Sequence, residues 1–170
     1  MNIAYQFVNC CLFKAGPSDI PASRSLLHIT LLSYFVMSVI INRLDSDWDI
    51  SLLTSLGDIV VMMTIIALLL KFRSYQARYL QTLTAMAGTS CFLALVGFPV
   101  IWWFYQLEAD AVSSSLVMIF MVALLFWNLM VMAHIFRLSL DIKAGTAAML
   151  SVATTLISLV VTGLIMSGVA

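Results

Sequence analysis

The chain has 170 residues, of which 63% are hydrophobic and only 9% charged, with a mean hydropathy of +1.09 and no net charge. Soluble domains carry roughly 25% charged residues, and a core of this size could not bury so much apolar surface, so a water-soluble fold is excluded. The balanced charge also removes the broad basic field that nucleic acid would need, and no nucleic-acid partner is expected.

Residues 1–13 are too short to cross a bilayer. On a helix, Asn2, Gln6 and Asn9 fall on one side and Ile3, Ala4, Phe7, Val8 and Cys11 on the other, which predicts a short amphipathic helix lying at the membrane surface. No basic residue precedes its apolar part, so it does not read as a cleavable signal peptide. The stretch from Lys14 to Ser23, KAGPSDIPAS, is the one Pro- and Gly-rich segment. Pro17 and Pro21 deny it a continuous helix, and it reads as a fixed turn. Ser23 or Ser25 then caps a first span over 26–42, on which Thr30, Tyr34, Ser38 and Asn42 form a polar stripe.

After a short acidic connection comes the second span, 50–70, whose only formal charge is Asp58. At about 1.5 Å per residue this run covers the roughly 30 Å hydrocarbon core. Ser51, Thr54, Ser55, Asp58 and Met62 share one face, Leu53, Leu56, Val60, Met63 and Ala67 take the opposite one, and Thr64 falls off the polar side. A carboxyl group near mid-membrane costs about 2.5–3.5 kcal/mol on insertion scales, so Asp58 should face protein or a polar cavity. With Ser55 and Ser51 it is the candidate intramembrane site, as proton acceptor, cation ligand or the pair of a basic group on another subunit. The structural alternative is a carboxyl hydrogen-bonded to hydroxyls across the bundle, holding helices in register.

A basic connection, 71–80, leads to a third span over 81–105. Its first half is rich in small residues (Ala85, Ala87, Gly88, Ser90, Cys91, Ala94) that allow close helix approach. Gly97 and Pro99 are expected to kink it, and Trp102, Trp103 and Tyr105 to anchor it at the interface. A second acidic connection follows, then a fourth span over 113–136, a polar hinge over 137–145, and a fifth span over 146–168. On the fifth, Ala147, Ser151, Thr154, Ser158 and Thr162 trace a small, hydroxylated face that reads first as a packing surface. Methionines 118, 121, 130 and 132 on the fourth, with Trp127, suit either an adaptable partner surface or plain packing.

The fold class is therefore all-α: a single polytopic transmembrane domain of five spans plus the short N-terminal surface helix. Lys14, Arg24, Lys71, Arg73, Arg78, Arg137 and Lys143 fall on one side of the membrane and only Arg43 on the other. By the positive-inside rule the N-terminus is cytoplasmic and the C-terminus outside. His28, His134 and Asn128 form a candidate polar group at the cytoplasmic face, the histidines reading as ordinary interface residues. Two histidines are too few ligands for a metal site, and neither metal nor cofactor is expected. Cys10, Cys11 and Cys91 lack zinc or CxxC spacing and read as reduced hydrophobes. Lys71, Arg73 and Arg78, flanked by Tyr75 and Tyr79, suit anionic lipid headgroups, although orientation alone requires a basic cluster there.

Five spans with a cytoplasmic N-terminus and a short outer C-terminus resemble the architecture of the Yip family of small membrane proteins. The KAGPSDIPAS stretch resembles the lead-in to the first span of a group of functionally unassigned bacterial inner-membrane proteins. The resemblance implies a helical bundle in the bacterial inner membrane that works through protein or lipid partners. No nucleophile elbow, HExxH pair, phosphate loop or dinucleotide fingerprint occurs, so an enzyme is not expected. The first functional expectation is an accessory or structural subunit, in contact with lipid and with a membrane-protein partner or a second copy. The alternative is a small proton- or cation-coupled transporter or channel using Asp58.

Overall fold

A computed structural model describes residues 3–106 and 111–169. Asn2, and Glu108 and Asp110 of the second acidic connection, lie outside the described residues. All five expected spans are helices, α2 (Arg24–Asn42), α3 (Trp48–Phe72), α4 (Tyr79–Gln106), α5 (Ala111–Leu140) and α6 (Ala144–Val169), preceded by α1 (Ile3–Cys11). Each of the five contains a stretch long and apolar enough to cross a membrane, and no strand occurs among the described residues. The bundle is all-α.

Local chemistry sets the ends. Ser23, in extended backbone, is the N-cap of α2, and its Oγ accepts from the Leu26 N–H at 3.4 Å. The preceding turn is a single 3₁₀ turn, Pro17–Asp19, closed by the Asp19 carboxylate, which accepts from the Gly16 N–H at 2.7 Å. α5 runs through Arg137 to Leu140, so the polar hinge is shorter than the sequence suggests. Three helices end in the same left-handed turn, with Phe13, Ser74 and Asp141 at φ 60°, 60° and 52°. After each, the next N–H reaches back to close the helix, Lys14 to Asn9 O, Tyr75 to Leu70 O and Ile142 to Arg137 O. This is the Schellman closure, made here without the glycine that usually supplies it.

α4 is the hub. From Thr82 to Thr89 every residue is buried, because α1, α2, α3 and α5 all pack on it and its small side chains let them come close. α6 completes the bundle against α3 and α5. The outward faces stay apolar and exposed, as at Ile119 and Phe126 on α5 and Leu159 and Leu164 on α6. Such faces suit lipid as solvent, since every helical backbone bond is already satisfied internally. Pro99 lies inside α4, whose helix continues to Gln106 beyond it.

The N-terminal helix forms, but its faces are not those of a helix resting on a surface. Gln6, assigned to the polar side, is buried and donates from Nε2 to Asp19 O at 2.8 Å. Cys10 and Cys11 are fully buried, and Cys11 O accepts from Trp127 Nε1 at 3.0 Å. Ile3 and Tyr5 remain exposed. α1 is thus docked into the bundle with Phe7 against Gly88, where no side chain stands in its way.

Candidate functional site

The seam read on the second span exists. Ser51, Thr54, Ser55 and Met62 are buried and Asp58 is half-buried, while Leu53, Leu56, Val60 and Thr64 are exposed. The polar stripe of α2 faces it. Tyr34 Oη donates to Asp58 Oδ2, and from the other side Ser158 Oγ of α6 donates to Asp58 Oδ1. One carboxyl group therefore ties α2, α3 and α6 at one level. Tyr34, Asp58 and Ser158 each lie in the middle third of their helices. Nearer the acidic end, Asn42 Nδ2 donates to Ser55 Oγ at 3.0 Å and to Ser38 Oγ at 3.4 Å. Ser51 turns back to its own helix, donating to Asp47 O at 2.8 Å, so of the three candidates Asp58 and Ser55 make the interhelical bonds.

Beside this clasp lies a cavity of about 380 Å³ to which all five spans contribute. Tyr34, Asp58, Ser90, Asn128, Thr155 and Ser158 are among the residues of its polar wall, and Met62, Met86, Met121 and Met132 supply much of the rest. Among the described residues, no Lys or Arg lines it. A carboxylate offers about four acceptor sites, and the two hydroxyl donors use one on each oxygen, leaving acceptor capacity toward the cavity. The amide carbonyl of Asn128 and the hydroxyls of Ser90 and Thr155 add further oxygens. The chemistry is that of an oxygen-lined, acidic pocket, suited to a proton, a small monovalent cation or a protonated amine.

Asn128 was expected with the histidines at the cytoplasmic face. The structure places it instead on the cavity wall with Asp58, in the middle third of α5. The two histidines do not form a joint site. His28 is exposed on α2, whereas the His134 Nε2 lies 3.0 Å from Ala15 O and its ring meets Phe13 edge-on at 5.4 Å. Among the described residues no group of three or more His, Cys, Asp or Glu is placed to hold a metal ion.

The basic cluster is divided in its work. Arg73 donates from Nη2 to Leu140 O and Asp141 O, each at 3.3 Å. Arg78 donates from Nη1 to Ser139 O at 3.2 Å and stacks over the Tyr75 ring at 4.6 Å. Both arginines cap the carbonyl end of α5, where cations also complement the helix dipole. Of the candidate lipid contacts, Lys71 is the exposed cation without such a role. Outside the spans, burial pushes the Cys10 thiol up to about 11, helped by the charge of Asp19, and the Cys11 thiol up to about 12, helped by Cys10.

The direct partners of Asp58 were only half legible. Tyr34 belonged to a recognised stripe, but Ser158 sat on a face assigned to packing, and only its four-residue spacing from Thr154 and Thr162 pointed to an inward side. No protein-family model, curated protein or solved structure matches the chain. The reading of function accordingly rests on the cavity and its chemistry.

Proposed function

We propose that this membrane protein is a carrier for a proton or a small monovalent cation, with Asp58 as the binding group. The observation that supports this is the cavity. A half-open space of about 380 Å³ beside a mid-span carboxyl falls within the roughly 300–1,000 Å³ of ligand sites. In this reading Tyr34 and Ser158 hold the carboxyl in place, and Asn128 and Ser90 complete the oxygen lining. A cytoplasmic N-terminus belongs to the same proposal and rests on the one-sided distribution of basic residues, and a place in the bacterial inner membrane rests on the resemblance of the KAGPSDIPAS stretch.

A second reading, the accessory subunit, is favoured by one specific observation: both Asp58 oxygens accept a hydroxyl from a neighbouring helix. A carboxyl so engaged can serve as a fastening alone, and the apolar outer faces would then meet lipid and a partner protein or second copy. Neither reading is enzymatic. The test is cation and proton flux into proteoliposomes by the wild type and by Asp58→Asn, with assembly followed by size-exclusion chromatography. Loss of flux with assembly intact supports the carrier. Flux equal to the wild type refutes it and leaves the fastening.

A further inference from the structure

The wall of the Asp58 cavity leaves particular acceptors free, and these select an occupant. Tyr34 and Ser158 give their hydroxyl protons to the carboxyl, and Thr155 donates to Ser151 O of its own helix at 3.0 Å. Ser90 of α4 and Asn128 of α5 also line the cavity, and neither makes a hydrogen bond to another described residue.

Three helices bring these groups to one depth. Arg73, just past α3, and Arg78, just before α4, both donate to carbonyls at the end of α5, which sets the ends of α3, α4 and α5 together there. From that end, Tyr79 to Ser90 is 11 residues along α4, Leu140 to Asn128 is 12 along α5, and Phe72 to Asp58 is 14 along α3. A spread of three residues is about 5 Å along the axes. A carboxylate, an amide carbonyl and a hydroxyl oxygen thus meet at one level, and a primary ammonium has the three donors to match them. A hard metal cation gathers about six or more oxygens at one point.

The rest of the wall suits an apolar body. One turn beyond the three acceptors toward the Arg73 end stand Met62, Met86 and Met132, and the next turn is closed by Leu70, Leu83 and Phe136, all buried. Thioethers are soft ligands, poor partners for a hard cation but an adaptable surface for a carbon skeleton. In the other direction the cavity follows α4 from Ser90 to Ile101, 11 residues or roughly 16 Å, past Leu93 and, on α5, Leu124 and Met121. Mostly apolar walls with a few placed polar groups are the composition of a small-molecule site.

We infer that the cation bound here is a primary ammonium on an apolar body, an alkyl- or arylalkylamine in its protonated form, with its head between Asp58, Ser90 and Asn128. This rests on the reading of Asp58 as a binding group.

Equilibrium binding of tritiated phenethylamine to the purified protein in detergent tests it, with empty micelles subtracted. The expected result is saturable binding of one amine per chain that 2-phenylethanol, sodium, potassium and silver ions do not displace. Asp58→Asn should weaken it about tenfold and Asn128→Leu about fivefold, the weight of single hydrogen bonds to a charged group. Leu124→Trp, which fills the space for the body, should abolish it, and Met121→Trp does the same should Leu124→Trp melt early. Displacement by the alcohol or by a metal ion, or affinity unchanged in an Asp58→Asn or Asn128→Leu variant that melts like the wild type, would overturn the inference. Flux separates its failure from that of the carrier. Absence of amine binding with proton or sodium flux abolished by Asp58→Asn overturns the amine alone, whereas absence of binding with flux unchanged in Asp58→Asn overturns both.

Discussion

Gly88→Ala offers a sharp test of how α1 is held. A Cβ on Gly88 would lie 2.2 Å from Phe7 Cε1 and 2.5 Å from Cδ1, so either the ring or the whole of α1 must move. Two effects oppose each other. Alanine improves a helix interior by about 0.5–1 kcal/mol over glycine, whereas overpacking costs about 1–3 kcal/mol. The gain belongs to α4 and the cost to the docking of α1, so the bundle keeps its stability while docking weakens by about 1–2 kcal/mol. Cys10 and Cys11 report it, since both are fully buried when α1 is docked. Their labelling by a maleimide, read peptide by peptide so that Cys91 is counted separately, should rise about 5–30-fold, the factor that 1–2 kcal/mol makes in an opening equilibrium. The thiols also set a pH dependence. Their docked-state values, about 11 and about 12, lie above the ordinary ~8.5, so the thiols favour docking fully below about pH 8.5. That contribution is lost as pH rises toward 11 and 12, and labelling should climb with it. Removing the ring with Phe7→Ala should abolish the extra effect of Gly88→Ala, as expected for directly coupled sites. Labelling of Gly88→Ala within about twofold of the wild type, less than 1 kcal/mol in the opening equilibrium, would refute the idea that this contact holds α1.

Three further outcomes are expected. Tyr34→Phe and Ser158→Ala each remove one donor from Asp58 and should each lower stability by about 1 kcal/mol in detergent unfolding titrations, since interhelical hydrogen bonds in bundles average about 0.6 and reach about 1.7. Asp141→Gly and Ser74→Gly relieve left-handed backbone at non-glycine residues, so each should raise stability by about 1 kcal/mol in thermal melts, and Asp141→Val should lower it. Arg78→Gln loses the carbonyl cap on α5 and the stack on Tyr75, and should cost about 1 kcal/mol, whereas Lys71→Gln should leave the melting curve unchanged.

Periodicity carried the reading where a helix has two unlike sides. On α3 the alternation of Ser51, Ser55 and Asp58 with Leu53, Leu56 and Val60 named the buried face before any neighbour was known, and on α2 the four-residue stripe did the same. It failed on α5, which is apolar all round, so nothing distinguished Asn128, inside, from a residue at the membrane face. It was also silent on which helix faces which. The meeting of Asp58 with Ser158, and of Arg73 and Arg78 with the end of α5, depends on lateral order in the bundle, which is a property of pairs of helices. α1 was misjudged for a related reason: its polar residues could be satisfied by water or by the bundle, and Gln6 finds Asp19 O within the bundle.

The clasp also has a history in time. Ser158 stands 100 residues after Asp58, and at about 5–20 residues per second a ribosome needs roughly 5–20 s to make that stretch. Tyr34 is synthesised first, so the nascent α2–α3 hairpin brings its own donor to the carboxyl while α6 is still unmade. Biogenesis of this protein therefore passes through a half-fastened stage in which a single phenol shelters the acid from lipid, and α6, translated later, is the helix that locks it.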